Sequence, residues 1–248
     1  MTKDNFNQHR IFKSVFILGG NSEIAQEICI ELTKKGTKKF HLILRTAKKI
    51  ESFIKEMNFK YGVKITIEEY DLLKGDLKVK PSIDFFDLYI IASGYLGDSK
   101  IANNDLNEAL DIARVNYYSL IPWISKITSE SRISKHGALW VLSSVAGDIG
   151  RPSNYHYGAA KAALTIFCEG ILLRCQNKPF KVRIIKAGLI NTAMSRGKSP
   201  KFMYAKKNNL AKSLIKNATK EGIEYWPWWW RVIINFVSIL PRFILSKL

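Results

Sequence analysis

Cysteine, acidic residues and uninterrupted apolar runs are all scarce in this chain, and each scarcity closes off a class of function. The three cysteines, Cys29, Cys168 and Cys175, are odd in number and fall in segments that read as helices. Neither a CxxC pair nor a histidine cluster accompanies them, so reduced, buried thiols are expected in place of a disulfide framework or a metal site. Met1 to Arg10 is polar and carries no apolar run, so no secretory signal is expected and the protein is placed on the cytoplasmic side of the cell membrane. Repeats and low-complexity segments are missing. Acidic residues number 21 against 39 Lys and Arg, for a net charge of +18. Such a balance suits nucleic acid, anionic membrane or anionic substrates. No recognition-helix or zinc-finger pattern is present, so no nucleic-acid partner is expected and a membrane surface ranks first. A lysine-rich solvated face accounts for most of these charges. The stretch from Arg196 to Lys220 stands apart, with eight Lys/Arg and no acid.

What is present is an alternation of two periodicities. Ser14–Leu18 is a short β-rich run, followed by Gly19-Gly20 and a helical pattern from Glu23 to Lys35. Further strands are expected at Phe40–Leu44, Lys64–Tyr70, Leu88–Ala92, Ala138–Ser143 and Val182–Lys186. Helices are expected from Ala47 to about Phe59, around Asn104 to Ser131, and from Tyr155 to Leu173. Strands alternating with helices predict an α/β fold, a Rossmann-type doubly wound parallel sheet. The 248 residues and 47% hydrophobic content fit a single domain of this kind. This α/β domain is expected over residues 1–222, with an amphipathic C-terminal tail over 223–248. Ligands of such sheets bind outside the carboxyl ends of the strands, where Gly19, Asp71, Ser93, Ser144 and Gly188 converge.

The chemistry centres on Tyr157 and Lys161, four residues apart on one face of a helix. A nearby ammonium favours the phenolate and is expected to lower the pKa of Tyr157 toward general acid–base use. Ser144 stands thirteen positions upstream. The turn from Leu18 to Ala25 would bring backbone amides and a helix N-terminus to a pyrophosphate. Glu23 and Ala25 occupy positions where glycine is usual, so the Glu23 carboxylate must point away from any phosphate. Leu44 stands where a ribose-binding acid would mark NAD, and Arg45 follows it, which leans toward NADP over NAD. A surface arginine is the plainer reading of Arg45. Asp71 either contacts an adenine amino group or caps the following turn.

Together these residues resemble the short-chain dehydrogenase/reductase family over nearly the whole chain. The resemblance rests on the Gly19 turn, Asp71, Ala92-Ser93-Gly94, Asn116, Ser143 to Gly147, the Tyr157/Lys161 pair, and Ala187-Gly188 to Thr192, where Ala187 replaces the family's usual proline. It implies a nicotinamide-dependent carbonyl reductase or alcohol dehydrogenase. Tyr157 would be the acid/base, Ser144 would bind the substrate oxygen, Lys161 would hold the ribose, and Asn116 would order a water in the proton relay. The implied cofactor set is Gly19, Asn21, Ser22, Ile24, Arg45, Asp71, Leu72, Ala92, Ser93, Gly94, Tyr157, Lys161, Gly188, Ile190 and Thr192. Ala146, Arg151 and Asn154 would meet the substrate.

Ile17 to Ile24, Gly94 to Asp98, Val145 to Gly147 with Arg151, Ser153 and Asn154, and a Trp-rich tail ending Leu240-Pro-Arg242 resemble one branch of that family. This branch reduces decaprenylphosphoryl-2-keto-erythro-pentofuranose, completing a ribose-to-arabinose epimerisation begun by a partner oxidase. Arg151 would contact the lipid-linked phosphate, or would serve as a surface or loop anchor. Other readings are reduction of a ketoacyl, sterol or sphingoid ketone, and a nucleotide-sensing scaffold without turnover.

The tail from Trp226 to Leu240 is too interrupted to span a membrane, which takes about 20 predominantly apolar residues. Arg231, Asn235, Ser238 and Arg242 form one narrow polar stripe on a helix otherwise aromatic and aliphatic, with Pro241 interrupting its register. Such a helix is expected to lie in the headgroup region of an anionic membrane, with peripheral attachment reinforced by the basic stretch before it. A homo-oligomer interface or a core-packing helix is the alternative.

Overall fold

Val15 and Ile17 face one side of the first strand and Phe16 and Leu18 the other, and all four are buried. A strand apolar on both faces belongs inside a parallel sheet covered by helices on each side. The computed structural model, which describes residues 12–75, 84–129, 132–197 and 199–246, has that architecture.

The strands are β1 (Ser14–Leu18), β2 (Lys39–Leu44), β3 (Lys64–Glu69), β4 (Phe86–Ile91), β5 (Ile133–Ser144), β6 (Lys181–Ala187) and β7 (Gly222–Trp226). They form one seven-stranded sheet in the order β3-β2-β1-β4-β5-β6-β7, with every pair parallel. The helices are α1 (Glu23–Lys34), α2 (Glu51–Tyr61), α3 (Ser99–Ala102), α4 (Leu106–Asn116), α5 (Ile121–Ser129), α6 (Tyr155–Arg174), α7 (Lys207–Lys216), α8 (Trp229–Ser238) and α9 (Arg242–Leu245). Residues of α1, α2 and α7 pack on one face of the sheet, and those of α5 and α6 on the other. The chain reverses direction across the sheet between β1 and β4. That crossing opens the crevice in which doubly wound folds bind ligands.

The expected α/β fold is observed, with two local departures. The helical region around 104–131 is broken at Tyr117 and Tyr118, whose backbone leaves the α geometry before a short 3-10 turn leads into α5. The second departure is β7, which begins where the tail was expected to begin. Residues 222–226 complete the sheet and belong to the domain. Their sequence, Gly-Ile-Glu-Tyr-Trp, carries no strong strand signal, and the strand is held by pairing and charge. Arg183 on β6 is almost wholly buried, lies 2.6 Å from Glu224 and donates to the carbonyls of Leu214 and Asn217 at the end of α7. Its guanidinium also sits over the Trp140 ring. Lys181–Glu221 and Lys186–Asp148 add two ion pairs along the same edge.

Cys29, Cys168 and Cys175 are free and buried. Among the described residues no helix is long and apolar enough to cross a membrane. Met1–Arg10, Ser131, Lys198 and the last two residues of the expected tail lie outside the described residues, as does the side chain of Arg242.

Candidate active site

The site begins at the end of β1. Gly19 takes φ +103°, and a Cβ there would lie 2.5 Å from the Ser93 amide, so the turn packs directly against the end of β4. The next residue whose side chain acts is Asn21. Its amide accepts from the backbone N–H of Arg45 and Thr46 and donates to the Thr46 carbonyl. It thus ties the turn to the loop after β2 and fixes where Arg45 starts. Ser22 caps α1 by accepting from the Ala25 N–H. Glu23 turns outward: its carboxylate accepts from the Ala193 N–H at 2.6 Å and from Lys207 at 2.7 Å. Burial is opposed by the Lys207 ammonium and the Ala193 amide, and the net effect holds the Glu23 pKa below the usual range. An acid in the phosphate turn is therefore consumed as a strut between α1 and the loop after β6.

Asp71 uses one carboxylate oxygen to cap its own turn, accepting from the Leu73 N–H at 3.0 Å. Asn116 is fully buried at the end of α4. Its side chain donates to the carbonyls of Tyr95 and Ile112 and accepts from the Tyr95 N–H. That arrangement holds the Gly94–Tyr95 loop, making Asn116 a positioning residue in what its side chain does.

Ser144 ends β5 and Tyr157 opens α6. Ser143 bonds Thr165 at 2.6 Å and pins α6 against the strand end. The Ser144 hydroxyl accepts from the Ala146 N–H and hydrogen-bonds the Tyr157 phenol. Burial pushes the phenol up to about 12, with the Ser144 bond pulling in the opposite direction. Lys161 Nζ lies 5.8 Å from the Tyr157 ring centroid and donates to the Leu142 carbonyl at 3.3 Å. Burial lowers its pKa to about 8. The expectation that Lys161 lowers the tyrosine pKa is not met in this geometry. Burial of the phenol dominates, and the group that opposes it is the Ser144 hydroxyl, with the Lys161 ammonium 5.8 Å from the ring centroid. A phenol held at about 12 remains protonated at neutral pH, which suits a proton donor.

All the residues named from the sequence for cofactor and substrate line one cavity of about 910 Å³. Ser144, Tyr157 and Lys161 line it too; Asn116 stands behind its wall. Arg151 and Asn154 line the same cavity as the α8 residues described below. Burial lowers the Arg151 pKa, and no described carboxylate counters that effect. Asn154 Oδ1 is buried with no hydrogen-bond partner.

Several lining residues escaped the sequence reading. Lys49 lines the cavity with Arg45, four positions away and legible as an i, i+4 basic pair. Tyr95 donates to Glu108 and lines the same wall. Most consequential is α8, whose Trp230, Ile233, Ile234 and Val237 form part of the cavity. A Cβ on Gly188 would lie 1.9 Å from Trp230 Nε1, so the indole rests on the bare backbone of Gly188. Trp230 is 6% exposed, and its N–H has no partner. The tryptophan cluster signalled the tail, but only the folded chain shows which tryptophan turns inward.

A parallel sheet with a glycine turn after β1 and a Ser/Tyr/Lys set at the ends of β5 and α6 defines a Rossmann-type oxidoreductase. The short chain dehydrogenase family model matches residues 13–202, and the chain belongs to that family. It is 25% identical over 241 residues to an uncharacterized oxidoreductase of Mycobacterium tuberculosis, covering 94% of this chain and 96% of the relative. It is 26% identical over 199 residues to a 3-oxoacyl-[acyl-carrier-protein] reductase of Buchnera aphidicola, covering 78% and 80%. Among solved structures, a short-chain dehydrogenase from Sphingobium yanoikuyae in complex with NADPH superposes with a TM-score of 0.74 at 16% identity, covering 92% and 96%. One from Shigella flexneri complexed with NADP gives 0.74 at 17% identity, covering 86% and 95%.

Proposed function

We propose that the protein is an NADPH-dependent reductase of a 2-keto pentose carried on a polyprenyl phosphate. The observation that carries this reading is a set of three polar groups, on residues that line the cavity, that find no partner among the described residues: the Arg151 guanidinium, Asn154 Oδ1 and Trp230 Nε1–H. Buried polar atoms are almost always hydrogen-bonded, so those left open beside a reaction centre are read as places for ligand groups. A cation, an acceptor and a donor match a phosphate and sugar hydroxyls. The apolar wall from α8 matches a lipid.

The chain fits a dinucleotide. The Gly19 turn and the start of α1 would receive the pyrophosphate, and Ile190 and Thr192 would hold the nicotinamide. Arg45 and Lys49 would meet a 2′-phosphate, a choice that the NADP and NADPH bound by the two solved structures supports. A reduced nicotinamide supplies the hydride when bound. Ser144 orients the carbonyl oxygen, and the Tyr157 O–H delivers its proton to that oxygen as charge develops on it. Lys161 remains largely charged at pH 7 and holds the ribose.

The deciding experiment measures NADPH oxidation by the purified protein in detergent. A polyprenylphosphoryl 2-keto pentose is generated for it by a partner oxidase, and a 3-ketoacyl thioester is run alongside. Formation of the arabino product sustains the reading. Turnover of the ketoacyl compound alone replaces it with the fatty-acyl reading that the name of the Buchnera aphidicola relative suggests.

A further inference from the structure

Helix α8 has two apolar faces. Trp230, Ile233, Ile234 and Val237, spaced i, i+3, i+4, i+7, line the cavity. Val232, Phe236 and Ile239, spaced i, i+4, i+7, face away and are 60%, 62% and 77% exposed. Trp228 just before the helix is 74% exposed, and Phe243 beyond Pro241 is 68% exposed. Arg231, Asn235 and Ser238 separate the two faces with a narrow polar strip. Contiguous exposed aromatic and aliphatic groups of this kind mark an interaction site.

The surroundings indicate what covers it. Met194, Ser195, Ser199 and Met203 line the same cavity as α8. At that same rim Met194 is 46% and Phe202 86% exposed, beside Arg196 and Lys201. An apolar stripe edged by cations, on a chain of net charge +18, is complementary to an anionic lipid surface.

We propose that α8 docks on an anionic bilayer by its outer stripe, with Met194 and Phe202 and the neighbouring Arg196 and Lys201 as a second contact, so that the mouth of the cavity opens at the lipid surface. Docking and the cavity wall then share one helix. Trp230, seated on Gly188, couples the helix to the loop that carries Thr192. A lipid-borne carbonyl would reach Tyr157 along the inner face of α8 without leaving the membrane interface. That last step rests on the substrate reading above; the docking does not.

The test is flotation of the full chain with vesicles of phosphatidylglycerol in phosphatidylcholine, against phosphatidylcholine alone and against rising salt. The wild type is expected to float with the anionic vesicles and to be released by salt. The triple variant Val232→Gln/Phe236→Gln/Ile239→Gln, none of which lines the cavity, is expected to lose at least tenfold in vesicle affinity. Its NADPH binding and detergent-phase turnover should stay at wild-type values. Failure of the wild type to float, or undiminished flotation of the triple variant, overturns the docking. A wild-type dimer that the triple variant converts to monomer, without vesicle binding by either, also overturns it and assigns the stripe to a second copy. Because flotation needs no substrate, its failure is distinct from failure of the keto-sugar assay.

Discussion

The two ends of the cavity handle their polar groups in opposite ways. At the nucleotide end Asn21, Ser22, Glu23 and Asp71 are all engaged with backbone or with a salt-bridge partner. At the substrate end Arg151, Asn154 Oδ1 and Trp230 Nε1–H point at nothing described. The first arrangement builds a rigid cradle whose backbone amides do the binding. The second leaves groups without partners among the described residues, which on the reading proposed above a ligand would engage.

The sharpest way to separate the reaction centre between these ends from mere binding is Tyr157→Phe. Turnover should fall about a thousandfold, within the range for losing a general acid, while NADPH affinity by fluorescence titration stays within about twofold. Turnover near the wild-type rate would remove Tyr157 from the mechanism.

Lys161 is the exception at the satisfied end. Its pKa falls from 10.5 in the unfolded chain to about 8 in the fold, so folding is penalised while both states are protonated. The penalty is fully present below about pH 8 and is relieved as pH rises from 8 to 10.5, where the unfolded chain holds more protons. Lys161→Met should therefore stabilise the cofactor-free protein at pH 7 by up to about 3 kcal/mol, with the advantage fading toward pH 10. Denaturant melts at the two pH values measure this, and equal stability at pH 7 would show that Lys161 is already well solvated.

At the open end, Arg151→Gln should raise KM for a phosphate-bearing substrate about thirtyfold with kcat nearly unchanged, the loss of one charge-assisted contact of about 2 kcal/mol. An uncharged ketone should show no change, and an equal loss for both substrates would make Arg151 a loop anchor. The smallest expected effect returns to the cradle. Arg45→Ala should weaken NADPH about tenfold while leaving NADH unaltered, as read by paired titrations. Equal weakening of both would assign Arg45 to shaping the turn.

Most of the frame was legible because its signals are local. The apolar runs of β1 and β4, the helical period of α1 and α6, and the Tyr157/Lys161 spacing depend on residues within one or two turns of one another. The Ser144 position followed from a strand end in the same way, while Thr192 came from the family resemblance. Residues 223–226 were read as tail, because their place in the sheet depends on pairing with β6 and on Arg183, some forty residues earlier. The pKa expectation for Tyr157 failed for a similar reason. Helical spacing sets that Lys161 is near, but not how deeply the Tyr157 phenol is buried.

The sequence by itself determined the parallel sheet, the glycine turn, the reactive set and the polar stripe of α8, since each is written in periodicity or in residues a fixed number of steps apart. The tertiary structure decided which polar atoms are left without partners, which way Glu23 and Trp230 turn, and that α8 walls the cavity with one face while exposing the other. Those outcomes depend on which distant segments meet. Burial and hydrogen-bond satisfaction belong to the packed whole, and no window of the chain holds them.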